Sequence, residues 1–180
     1  GKIIAAAIFD SQGLVNKTHT LHADLKATTT IERDVNGEVL SVQYCNQGKV
    51  YQLHDANHRL RYTISAGGAV TEYRYDATHN HESVIRYAKP VNMAALLVDG
   101  KINIETLAQQ LQKQQADENN RISHVMKNAQ GQVRFIIDAA GALTEKQYDG
   151  HGHCTAKIAY AAKLNESEFA DLTSGKPFNR

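Results

Sequence analysis

The chain has no tryptophan, only two cysteines, and no excess of either charge: 20 Lys and Arg stand against 19 Asp and Glu. Near-neutrality with scattered Lys and Arg removes the electrostatic case for nucleic acid, which needs a basic face. Cys45 and Cys154 lie far apart and outside any metal-ligand spacing. They are expected as free thiols, since position alone cannot establish a disulfide. No apolar run approaches the ~20 residues of a membrane span, and no signal-peptide pattern opens the chain. A Gly-rich phosphate loop is missing as well, because the sequence AGGA at 66–69 fits a hairpin turn and not a strand-to-helix junction.

What the chain does have is an internal repeat. Residues 51–88, YQLHDANHRLRYTISAGGAVTEYRYDATHNHESVIRYA, return without a gap as residues 124–161, HVMKNAQGQVRFIIDAAGALTEKQYDGHGHCTAKIAYA. Identities fall at Arg61/Arg134, Ile64/Ile137, Gly68/Gly141, Thr71/Thr144, Glu72/Glu145, Tyr75/Tyr148, Asp76/Asp149, Ile85/Ile158 and Tyr87/Tyr160, among others. Self-similarity at a fixed period signals stacked modules that share a core.

A shorter beat runs inside the long one. Asp or a stand-in, two small or polar residues, then Gly or a stand-in, occurs at Asp10–Gly13, Asp34–Gly37, Asp55–His58, Ser65–Gly68, Asp76–His79, Asn128–Gly131, Asp138–Gly141 and Asp149–Gly152. Asp, Asn or Ser at the first position accepts a hydrogen bond from the backbone two residues on. Gly at the fourth supplies the left-handed residue that follows a type I turn in a hairpin. His58 and His79 replace that Gly at some cost. Between turns the residues alternate, with Leu60, Tyr62 and Ile64 on one face matching Val133, Phe135 and Ile137, and Arg61 and Arg134 on the other. The expected fold is therefore mainly β, built of stacked antiparallel hairpins.

The segment TISAGGAVTEYRYDATHNHESVIRYA, echoed by IIDAAGALTEKQYDGHGHCTAKIAYA, resembles the Rhs/YD-repeat family, whose namesake pair stands at Tyr75-Asp76 and Tyr148-Asp149. AIFDSQGLV and IERDVNGEVL are looser echoes. The resemblance implies hairpins wound into a long curved sheet, in large secreted or surface-displayed bacterial proteins and toxin-delivery shells. It also implies that the partners of such a segment are neighbouring repeats of the same parent chain.

One stretch departs from the β pattern. After Pro90, residues Ile104, Leu107, Ala108 and Leu111 recur at helical spacing behind Asn103 as a cap, which predicts a helix near 103–117 packed on the sheet by Ile104, Leu107 and Leu111. Asn92 is placed to cap a shorter helix before the turn dipeptide Asp99-Gly100, and Asn165 with Glu168 makes a capping box in the tail. The organisation expected is a single repeat-array fragment over 1–180. It divides into divergent hairpins (1–50), a first copy (51–90), a helical insert (91–120), a second copy (121–163) and the start of another insert (164–180).

Candidate chemistry is sparse. His151, His153 and Cys154 offer three borderline ligands within four residues, and His79 with His81 occupies the related turn, but the two sets do not align between copies. No metal or other cofactor is expected. Ser65, His54 and Asp55 form a triad on paper only, without a strained nucleophile elbow or an oxyanion hole, and no pair of carboxylates is placed across a cleft. The acids are expected mostly in turns or on solvent faces. We therefore read a non-enzymatic wall, stalk or spacer of a larger secreted or surface protein. The rival is a carbohydrate- or cell-surface-binding module in which Tyr44, Tyr51, Tyr73 and Tyr75 line a glycan groove.

Overall fold

The computed structural model describes residues 4–22, 25–45, 48–176 and 178. Antiparallel strands follow one another in chain order: β1 (Ile4–Phe9), β2 (Val15–His22), β3 (Leu25–Arg33), β4 (Val39–Tyr44), β5 (Gly48–His54), β6 (Leu60–Ile64), β7 (Val70–Asp76) and β8 (His81–Arg86). An insert carries α1 (Met93–Leu96), a ribbon of β9 (Leu97–Val98) with β10 (Lys101–Ile102), and α2 (Ile104–Gln112). The sheet pattern resumes with β11 (Arg121–Lys127), β12 (Val133–Ile137), β13 (Leu143–Tyr148) and β14 (Cys154–Ala159), and α3 (Glu166–Thr173) follows. The chain divides into two compact units, residues 1–71 with 89–116, and residues 72–88 with 117–180. Each unit combines strands with its own helical segment.

One turn chemistry recurs at Asp10, Asp34, Asp55, Ser65, Asn128, Asp138 and Asp149. At Asp138 the backbone N–H donates to Ala142 O at 3.0 Å and Gly141 N–H donates back to Asp138 O at 2.9 Å. The side-chain Oδ1 of Asp138 also accepts from Ala140 N and Ala142 N, both at 2.9 Å. The fourth residue is left-handed in each case, with φ of 78° at Gly13, 85° at Gly37, 62° at His58, 82° at Gly68, 78° at Gly131, 82° at Gly141 and 87° at Gly152. A register shift falls beside the turn at Ile8/Phe9, Glu32/Arg33, Leu53/His54, Met126/Lys127 and Gln147/Tyr148. That combination is a type I turn closed by a bulge, which adds local twist. Backbone donors hold the Asp138 and Asp149 carboxyls below the usual carboxylate range, and at Asp55 the Arg59 side chain is the larger cause.

The Asp76 turn differs. Asp76 Oδ1 still accepts from Thr78 N at 3.0 Å, but the left-handed residue is Asn80, at φ 49°, and not His79. Asn adopts that region at lower cost than most residues with a Cβ, so the turn closes one residue later where an Asn is available.

The helical insert also departs from expectation. α2 ends at Gln112 and loose turns carry the chain on to Ala116. Gln112 to Gln115 offers no apolar residue to bury, and helices in proteins persist where they pack. Leu107 and Leu111 are buried, whereas Ile104 is 53% exposed. Helical side chains lean toward the N-terminus, so Ile104 projects past the first turn and away from the surface its stripe rests on. Asn103 caps α2 through Thr106 N at 2.9 Å, and Asn165 with Glu168 forms a capping box on α3. In the second unit Met126, Phe135, Ile137, Leu143 and Leu172 form the core, with Tyr160, Leu164, Phe169 and Phe178 packed against it.

Candidate functional site

One pair of acids at equivalent positions lies neither in a turn nor on a solvent face. Glu72 on β7 and Glu145 on β13 are 2% and 7% exposed, on the same strand face as the buried Val70 and Leu143. Each accepts a hydrogen bond from the tyrosine fifteen residues on: Tyr87 Oη donates to Glu72 at 2.6 Å, and Tyr160 Oη to Glu145 at 2.7 Å. Buried carboxylates require such partners. The cations differ between copies. Arg74 forks onto both Glu72 oxygens at 2.9 Å each, and Glu72 in turn holds the Arg74 guanidinium above its ordinary pKa. Position 147 is Gln, and in the second copy Arg134 reaches Glu145 at 3.5 Å.

The residues singled out from sequence are spread over several places. Among the described residues no group of three His, Cys, Asp or Glu side chains is arranged to hold a metal. His153 is engaged by Asp149 at 3.2 Å, the His151 and His153 rings stack at 6.2 Å, and Cys154 is exposed with its thiol on Ala156 O at 3.4 Å. Cys45 is likewise exposed and unbridged. Ser65 Oγ accepts from Ala69 N at 3.0 Å in its turn, and Asp55 is bound by Arg59 at 2.8 Å, so two of the three members of the paper triad serve hairpins, while the third, His54, lies 3.7 Å from Glu38.

Tyr44 and Tyr51 face opposite sides of the sheet, because Tyr51 is the register partner of Ser41, three residues from Tyr44. Tyr51 lies under Lys49 Nζ at 5.3 Å and lines a cavity of about 320 Å³ with Glu32, Ser41, Leu53 and Ile102. Tyr73 and Tyr75 are half-buried on the face of β7 opposite Glu72.

The histidine pair that the fold does assemble is His81 with His124. Neighbouring strands β8 and β11 place His81 Nε2 3.0 Å from His124 Nδ1 with the rings stacked at 5.1 Å, and the edge of Phe169 from α3 closes on His124 at 4.9 Å. Burial, and secondarily the His81 charge, lower the His124 pKa to about 4. Burial also lowers His81, against the opposing pull of Asp76 and Glu82. A pair sharing one hydrogen bond at this spacing cannot carry two protons cheaply. These residues are 43 apart and occupy non-equivalent places in the repeat, so neither motif nor period paired His81, noted in its turn beside His79, with His124.

A pH dependence follows, with its sign fixed by the depressed folded pKa. The neutral ring is the form the fold accepts, so stability is fully present above the unfolded value near 6.5 and is lost as pH falls toward 4. At a half-exposed site solvent screening leaves about 1 kcal/mol of this effect. Thermal melts at pH 7 and pH 4.5 should show that loss in the parent chain. A His124→Asn variant with the same slope would remove His124 as the cause.

No family model matches this chain, and no curated protein does. Among solved structures, those titled "Crystal Structure of TcdB2-TccC3-Cdc42" and "Crystal Structure of TcdB2-TccC3" are both matched over 88% of this chain at 12% identity and a TM-score of 0.30. The chain spans 12% of the length of each of those proteins. Overlap this loose establishes neither a shared fold nor a shared activity. Among the described residues, no helix is long and apolar enough to cross a membrane.

Proposed function

We propose that this chain is a non-catalytic structural segment, a length of wall, stalk or spacer in a larger bacterial protein of the Rhs/YD-repeat kind. In that reading the parent is secreted or displayed at the cell surface, or is associated with a toxin, and the segment's partners are neighbouring repeats. The observation that carries the proposal is the use of one turn, with the same two backbone bonds and the same side-chain acceptor, at Asp10, Asp34, Asp55, Ser65, Asn128, Asp138 and Asp149. The Asp, Asn and Ser side chains at these seven positions are occupied in closing hairpins. A protein that repeats one hairpin geometry along its length extends a surface, as repeat architectures do.

The rival reading, a carbohydrate-binding module, has one observation in its favour. Tyr51 and Glu32, the latter paired with Lys49 at 2.7 Å, border a cavity with apolar walls, the mixture that sugar recognition uses. A glycan array on the intact chain separates the two. A flat array is expected. Selective capture of one sugar family, abolished by Tyr51→Ala, would replace the scaffold proposal with a lectin-like one.

A further inference from the structure

The 73-residue offset between copies (124 against 51) extends beyond the strands to the helix caps, since Asn92 on α1 corresponds to Asn165 on α3. Around these caps the two copies can be compared position by position. In the first unit Ile64, Val91 and Leu96 are 0%, 4% and 0% exposed. A second helix accompanies them: α2 packs on α1, Gln110 Oε1 accepts from Asn92 N at 2.7 Å, Asn103 N donates to Leu96 O at 2.9 Å, and Leu107 and Leu111 are buried. In the second unit the equivalent residues Ile137, Leu164 and Phe169 line an open cavity of about 420 Å³. Leu164 and Phe169 are only half-buried, and Ile122 on the same cavity is 39% exposed.

We infer that this cavity is a docking site for an amphipathic helix of the α2 type, presenting two apolar side chains four residues apart. The internal repeat supplies the occupant, because Asn92 and Leu96, one period before the cavity residues Asn165 and Phe169, are bonded to such a helix and its cap. Charge narrows its chemistry. Asp138 and Glu166 stand on the cavity rim, which favours a neutral or basic helix; α2 itself carries Glu105 in its first turn and Lys113 at its end. The cap differs in one respect. Asn165 N donates to Glu168 at 2.8 Å where Asn92 N uses Gln110, so the glutamine is dispensable and the leucine pair is the recognition element. Burial of such a pair is the usual anchor of a helix-in-groove complex.

The probe is a capped synthetic peptide of residues 101–116, titrated into the intact chain and followed by NMR. Saturable shifts are expected at His124, Ile137 and Phe169. Binding should weaken at least tenfold when the peptide carries Leu107→Ala with Leu111→Ala, or when the protein carries Ile122→Glu at the exposed rim, about 1.4 kcal/mol or more. No shifts at millimolar peptide would overturn the inference, as would equal binding of both peptides. Shifts confined to Val91 and Leu96 would mean that the peptide had displaced α2, and peptide-free shifts growing with protein concentration would assign the cavity to a second copy of the chain. Either would also refute it. None of these outcomes bears on the scaffold proposal.

Discussion

Gly68→Ala should destabilise the chain by roughly 2–5 kcal/mol, about twice the loss from the same change at Gly131. Both glycines close the same turn at similar φ, 82° and 78°. The left-handed backbone alone costs a Cβ about 1–2 kcal/mol, and Gly131→Ala should show that and no more, because nothing lies within 4 Å of its new atom. At Gly68 a Cβ would come 2.3 Å from Val91 O and 3.2 Å from Val91 N. Those are backbone atoms, held by the bond from Val91 N to Gly68 O at 2.8 Å, and they cannot swing aside as a side chain does. Overpacking of this kind adds about 1–3 kcal/mol. Denaturant midpoints of the two variants make the comparison, with Gly141→Ala as a third case in which the nearest atom is a flexible lysine Cδ at 3.5 Å. Equal losses at Gly68 and Gly131 would show that Val91 is not anchored there.

The turns were legible in the sequence because their chemistry is local: an acceptor side chain and a residue tolerant of positive φ three positions on are contained in four letters. The Asp76 turn was misread for the same reason, since the choice between His79 and Asn80 depends on how β8 leaves the loop, with Asn80 O accepting from Lys127 N at 2.9 Å in another strand. Faces were harder to assign. The identities at Glu72/Glu145 and Tyr87/Tyr160 were visible in the repeat, but alternation gives two faces without saying which is covered. A Glu opposite two tyrosines reads as the solvent side. Val70 and Leu143 decide it, and each is only one residue of pattern. The His81–His124 contact and the cavity beside α3 depend on strand β11 returning after the insert to pair with β8, a tertiary event that no local spacing encodes.

Substituting Arg74 by Met should cost about 2–3 kcal/mol, while Arg134→Met should cost less than about 1 kcal/mol, although both arginines serve equivalent glutamates. Removing one member of a buried pair is expensive because the remaining charge stays desolvated. Glu72 has a side chain 3% exposed, and Arg74 meets both its oxygens at 2.9 Å. The partly open Arg74, 42% exposed, holds the penalty below the 3–5 kcal/mol range of fully buried pairs. Arg134 meets Glu145 once, at 3.5 Å, and is 49% exposed, so Glu145 depends chiefly on the Tyr160 hydroxyl. A double-mutant cycle provides the check: adding Glu72→Gln to Arg74→Met should recover most of the loss, because the uncompensated charge is gone and the amide still accepts from Tyr87. Tyr87→Phe alone should cost about 1.5–3 kcal/mol, as for a hydrogen bond to a charged group. If Arg74→Met and Arg134→Met lowered the denaturant midpoint equally, the carboxylates would be satisfied by their tyrosines in both copies. The arginine fork would then be surface decoration and not part of the core.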